Sequence, residues 1–337
     1  MQSLTINEPF KLECGAVLPS ITIGYHTYGR LNADHSNAIW VCHALTASSE
    51  VAEWWPNTIS EGRFLDPEKY FVVCANMLGS CYGSTGPLSL NPQTNKPWYD
   101  EFPEVTVRDM VRAHQLLAQH LGIKQLHLLV GSSIGGFQAM EWLIMEPQIT
   151  KKAVLIATTA KISAWASALN ESQRMAIEAD PSFGEHREDA GLEGMKAARS
   201  IALLSYRGPA AYNQTQTDDG EEPFRRRVHS YQRHQGEKLA ARFNAYSYYR
   251  LSQSVDSQNV GRQRGGVEQA LAQITANTLV VAINTDVLFP PDEVKRLADG
   301  IRQSRFLVIN SHFGHDGFLV EANQLNELIL NFMNSEQ

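Results

Sequence analysis

Six short apolar runs recur along the chain, at 37–42, 71–75, 126–130, 153–157, 278–283 and 305–309. Each is nearly continuous, the pattern of parallel strands covered on both faces. Residues 21–25, Ile-Thr-Ile-Gly-Tyr, alternate instead and predict a further strand that ends by Gly29. Helical spacing fills the gaps. Met110, Val111, His114, Leu117 and Leu121 recur at three- and four-residue steps, and Gly122 closes that helix. Phe137, Met140, Glu141, Leu143 and Ile144 mark a second one over 135–145. Strands alternating with helices predict a doubly wound, mostly parallel sheet.

The alternation stops after Ala157. From 161 to 273 helix formers dominate, no buried strand is legible, and Gly220–Pro223 and 261–266 read as loops. The strand signal returns near Thr278. The economical organisation is an α/β core in two pieces, 1–158 and 276–337, with a helical lid inserted at 159–275. No internal repeat or low-complexity tract is present.

The composition narrows the class. A chain of 337 residues with 43% hydrophobic and 19% charged residues is ordinary for a soluble globular protein. The net charge of −7 gives no basic footprint for nucleic acid. No stretch approaches the ~20 apolar residues of a membrane span. The first fifteen residues carry no basic segment followed by an apolar one, so no export signal is expected. Cys14, Cys42, Cys74 and Cys81 lack the spacing of a metal site, and none is expected. Free thiols without an export signal point to the cytoplasm.

Chemistry enters at Gly131-Ser132-Ser133-Ile134-Gly135, a G-x-S-x-G motif. Alone it is weak, but an apolar strand precedes it and a helical run follows. That is the setting of the nucleophile elbow of the α/β-hydrolase fold. Ser133 needs a base, and the base an orienter, in the chain order Ser, Asp or Glu, His. Asp286 and His315 both follow predicted strands, where α/β sheets place their sites. Asp292 is the rival carboxylate and reads as a helix N-cap after Pro290-Pro291; His312 is the rival base. An oxyanion needs donors, expected from the backbone N–H of Ile134 and from Ala44 or Leu45 in the loop after residue 42. His43 reads as a loop residue that holds backbone by a hydrogen bond.

With these residues placed, nearly the whole chain resembles the homoserine O-acetyltransferase family. The segments that carry the resemblance are 43–46 (His-Ala-Leu-Thr), the glycine-rich 74–87, 105–110, 133–142, 231–238, 286–291 and 314–319. Family members often read Gly-Gly-Ser-Met where this chain has Gly131-Ser132-Ser133-Ile134, and often have glycine at the positions of Ala47 and Ser80. The resemblance implies an α/β-hydrolase fold and acetyl transfer from acetyl-CoA, a co-substrate with no further cofactor, to L-homoserine. It also implies a ping-pong route through an acyl-serine and a homodimer built through the lid. Carried over, Leu45 and Ile134 would be the oxyanion donors, Arg199 would bind the amino-acid carboxylate and Asp316 its ammonium. The run Arg225-Arg226-Arg227 reads either as a solvated helix face or as a place for the phosphates of coenzyme A.

Overall fold

The apolar runs pair into one eight-stranded sheet in the computed structural model, which describes residues 1–220 and 223–335. Its strands are β1 (Gln2–Ile6), β2 (Ile21–Tyr28), β3 (Ala38–Cys42), β4 (Phe71–Ala75), β5 (Leu128–Ser132), β6 (Lys152–Ile156), β7 (Asn277–Ile283) and β8 (Ser304–Ile309). They lie in the order β1-β2-β4-β3-β5-β6-β7-β8. The pairs from β4 through β8 are parallel, while β1 and β2 are antiparallel additions at one edge. Every residue of β3 and β5 is buried.

Alternation within each strand separates two cores. Trp40 and Leu129 face one layer, which also holds Phe137, Met140 and Trp142. Val41 and Val130 face the other, with Leu325, Ile329 and Phe332. Helices cover both faces because no face of these strands can meet water without exposing apolar surface. Helix α1 (Val107–His120) starts on a capping box in which Asp109 N–H donates to the Thr106 hydroxyl and Thr106 N–H donates to the Asp109 carboxylate. Helix α2 (Ile134–Met145) springs directly from β5.

Between β6 and β7 lie the helices α3 (Ala164–Glu178), α4 (Leu192–Gln216), α5 (Arg227–Ala240), α6 (Ala245–Asp256) and α7 (Val267–Leu271). The loop between α6 and α7 is clamped to the core by charge. Glu13 takes Arg108 at 3.1 Å and Arg262 at 2.8 Å, and buried Glu141 takes Arg108 at 3.3 Å and Arg264 at 2.7 Å. Such buried ions persist only when paired.

Most strands fall within a residue or two of the sequence expectation. The strand before the motif is displaced: it runs over Leu128–Ser132, not 126–130, because Leu126 only bridges Thr150. Gly131 and Ser132 thus belong to the sheet. Helix α8 (Pro291–Gly300) has Pro290 as its N-cap. Asp292 sits inside the first turn and caps nothing by its side chain, a correction to the reading from sequence. Of the expected loop at Gly220–Pro223, Glu221 and Glu222 lie outside the described residues.

Candidate active site

Ser133 stands where β5 must turn into α2 with no room to spare. Its backbone is forced to φ 56°, ψ −126°, a conformation costly for any residue with a Cβ. The strain is held by Ser133 N–H donating to the Ile156 carbonyl and by the Thr158 hydroxyl donating to the Ser133 carbonyl. Glycines permit the approach. A Cβ on Gly135 would lie 2.0 Å from the Cys42 carbonyl oxygen, and one on Gly131 would lie 2.1 Å from the Gly135 carbonyl oxygen. The elbow therefore presses against the end of β3, which leads into the loop 43–47.

Asp286 follows β7 and His315 follows β8. His315 Nε2 lies 2.9 Å from Ser133 Oγ, and His315 Nδ1 lies 2.7 Å from Asp286 Oδ2. Asp286 is buried, and its Oδ1 accepts N–H bonds from Leu288 at 2.8 Å and Phe289 at 3.0 Å, which fix the carboxylate. Phe289 and Phe318 pack edge-on against the His315 ring. Gly314 has φ 58°, and a Cβ there would meet the Arg207 backbone at 2.9 Å, so the loop bearing His315 rests on α4. His312 is exposed and Asp292 stands apart in α8; neither rival joins the group.

Ser133 and His315 open into a cavity of about 440 Å³. Leu45 and Ala44 line one side, Arg199, Tyr206 and Asp316 another, and Lys238 and Arg242 a third. The N–H groups of Leu45 and Ile134 make no hydrogen bond to another described residue. The structure thus brings the expected serine, aspartate, histidine, two backbone donors, Arg199 and Asp316 to one place. The run at 225–227 does not line this cavity.

Some contacts around the cavity were not expected from sequence. Asp316 Oδ2 accepts from Arg207 Nε at 3.2 Å. Arg207 sits at the break in α4, where Gly208 leaves helical geometry at φ 68° before Pro209. Burial raises the Asp316 pKa, against the pull of Arg199 and Arg207. Arg199 lies over the Tyr206 ring at 5.5 Å. Arg242 donates to the Thr46 carbonyl and to the Tyr82 hydroxyl, joining the lid to the loop 43–47 and to the glycine-rich segment. Partners so far apart in sequence leave no local signal; only the Gly208-Pro209 break was legible as a dipeptide.

A model of the alpha/beta hydrolase fold matches residues 37–322. The homoserine O-acetyltransferase of Cyclobacterium marinum is 42% identical over 327 residues, 96% of this chain and 93% of that protein. Among solved structures, homoserine O-acetyltransferase from Staphylococcus aureus superposes with a TM-score of 0.83 at 29% identity, covering 100% of this chain and 95% of that one. The acetyl esterase MekB superposes at 0.88 with 28% identity, covering 99% and 97%. The chain spans nearly the full length of each, and by the first of these likenesses it belongs to the homoserine O-acetyltransferase family, built on the α/β-hydrolase fold.

Proposed function

We propose that this protein moves the acetyl group of acetyl-CoA onto the hydroxyl of L-homoserine, a step of methionine biosynthesis, through an acetyl-Ser133 intermediate. The observation that carries the reading is the unbroken line Ser133–His315–Asp286 at 2.9 and 2.7 Å, opening into the cavity that Arg199 lines. In this reading His315 Nε2 takes the Ser133 proton as Oγ attacks the thioester carbonyl. The N–H groups of Leu45 and Ile134 meet the oxyanion. The C–S bond breaks, and His315 returns the proton to the departing thiolate. Homoserine then enters, His315 takes its hydroxyl proton as that oxygen attacks the acetyl carbonyl, the bond to Ser133 Oγ breaks, and His315 returns the proton to Oγ. Asp286 holds the imidazole in the productive tautomer throughout. Coenzyme A acts as the acetyl carrier, and the chemistry calls on no other cofactor.

Arg199 supplies a fork for the amino-acid carboxylate. Asp316 offers the ammonium its Oδ1, since Oδ2 is taken by Arg207. Lys238 and Arg242 at the cavity wall suit the anionic donor. The lid, by keeping water out, favours transfer over hydrolysis. A homodimer through the lid is supported by exposed apolar residues on it, Met175, Leu204 and Phe224. Residence in the cytoplasm is supported by four cysteines that form no disulfide. Among the described residues no helix is long and apolar enough to cross a membrane.

The likeness to an acetyl esterase favours a second reading, hydrolysis on the same site. Steady-state rates with acetyl-CoA and succinyl-CoA, each against homoserine and serine, separate the possibilities. The highest kcat/KM is expected for acetyl-CoA with homoserine. A higher value with succinyl-CoA, or acetate release unaffected by homoserine, would overturn the proposal.

A further inference from the structure

His43 is fully buried at the end of β3, directly before the loop that supplies one oxyanion donor. Its Nδ1 lies 2.8 Å from the carbonyl oxygen of Ala44. A carbonyl oxygen can only accept, so Nδ1 carries the ring proton. The same oxygen accepts a second bond, from Ala47 N–H at 3.0 Å. Both lone pairs of the Ala44 carbonyl are thereby engaged. The peptide that follows is planar and trans, so the Leu45 N–H must point opposite to that carbonyl. Leu45 and Ser133 line the same cavity, and the Leu45 N–H has no other described partner.

We infer that His43 is a positioning residue of the oxyanion hole, whose Nδ1–H pins the Ala44 carbonyl and so aims the Leu45 N–H at the acyl oxygen. The inference rests on the acyl-serine reading above. Its force comes from what the pin prevents. If the Ala44–Leu45 peptide flips, a carbonyl oxygen replaces an N–H beside the forming oxyanion, and attraction becomes repulsion. The His43 backbone is held as well, because the Gly135 turn packs against the His43 carbonyl so closely that a Cβ there would come within 3.0 Å. Burial pushes the His43 pKa down to about 4, so the ring stays neutral near neutral pH. His114, on the neighbouring helix α1 and also pushed down by burial, faces it as a second neutral imidazole.

Three variants test this. The amide nitrogen of an asparagine side chain superposes on Nδ1 of histidine, while that of glutamine reaches the place of Nε2. His43→Asn therefore keeps the pin and His43→Gln loses it; His43→Phe fills the space with no donor, should the glutamine variant fail to fold. The rate of Ser133 acetylation by acetyl-CoA is followed by quenched-flow intact mass, with KM and thermal melting beside it. His43→Gln and His43→Phe are expected to slow acetylation and discharge by ~10²-fold, the usual cost of one oxyanion donor, with KM within about 3-fold. His43→Asn is expected to stay within about 10-fold of wild type. Wild-type rates in a folded Gln or Phe variant, equal losses in Asn and Gln, or a rise in KM alone would overturn the proposal. A wild-type enzyme that forms no acetyl-Ser133 would instead overturn the acyl-serine reading, and this inference with it.

Discussion

The core and the lid both reach the cavity, but they hold their side chains differently. Core contributions sit on loops that leave the ends of parallel strands: the loop 43–47 after β3, Ser133 after β5, Asp286 after β7 and His315 after β8. Each is fixed by backbone hydrogen bonds or by glycine-permitted contacts at both sides. The lid offers Arg199 and Tyr206 from one helix, broken at Gly208, together with Lys238 and Arg242, and Arg207 of that helix holds Asp316. Arg199 is half-buried while Lys238 and Arg242 are exposed, and all three act through long, charged side chains. Bond making needs positions fixed to a fraction of an ångström, which a sheet end provides. Recognition of a zwitterion needs charge at the right distance, which a helix face can give and alter. The teaching is a division of labour: changes at Ser133, Asp286 and His315 should strike both half-reactions, a change at Arg199 only the second.

The sharpest way to break that division is at the nucleophile. Ser133→Ala should lower kcat by at least ~10⁴-fold in both acetylation and transfer while the melting temperature holds. Asp286→Asn should cost ~10³- to 10⁴-fold through the wrong His315 tautomer, again in both halves. Stopped-flow release of coenzyme A measures the first half and O-acetylhomoserine formation the second. A loss confined to one half would place the residue outside the shared machinery.

A smaller effect probes the lid. Arg199→Leu should lower kcat/KM for homoserine by at least ~10-fold, the worth of charge-assisted hydrogen bonds, and leave coenzyme A release near wild type. The pair Arg207–Asp316 sharpens the point, because Asp316→Leu strands the Arg207 guanidinium against the loop that bears His315. That variant should lose acceptor use and some acetylation together. If Arg199→Leu also slows acetylation, the division between core and lid fails.

The buried His43 and His114 give a pH test. His43 is pushed down to about 4 and His114 to about 3, each from an ordinary value near 6.5, by burial. The unfolded chain then binds more protons than the native one as pH falls from about 6.5 toward about 4. Stability is fully present above that window and is lost across it, by on the order of 3 kcal/mol for His43 alone. Melting temperatures should fall steadily below about pH 6.5, and His114→Phe should flatten the slope. The smallest expected effect is Asp292→Asn, which should leave kcat within about 3-fold, since Asp292 touches only the first turn of α8.

The parts that were legible in sequence are those set by local pattern. Continuous apolar runs revealed the parallel strands, and the motif at 131–135 revealed the elbow because strand and helix signals bracket it. Chain order then pointed to the loops after the last two predicted strands, an order that Asp286 and His315 share with their rivals Asp292 and His312. The two-residue displacement of β5 was not legible, because Leu126 and His127 are as compatible with a strand as Gly131 and Ser132 are with a turn. The Arg207–Asp316 pair and the Arg242–Tyr82 contact were missed because they join residues about a hundred or more positions apart. Asp292 was misread because Pro290-Pro291 starts the helix two residues earlier than an N-cap at 292 would.

The central claim is that Ser133 carries the acetyl group between two substrates, and one mass-spectrometric chase tests it. The protein is incubated with acetyl-CoA alone, digested and mapped, with a second portion chased by homoserine before quenching. The account predicts one acetyl group, on the peptide containing Ser133, that persists without homoserine and is discharged to O-acetylhomoserine when homoserine is added. An unmodified Ser133 in both portions, or an acetyl group lost to water equally fast with and without homoserine, would contradict it.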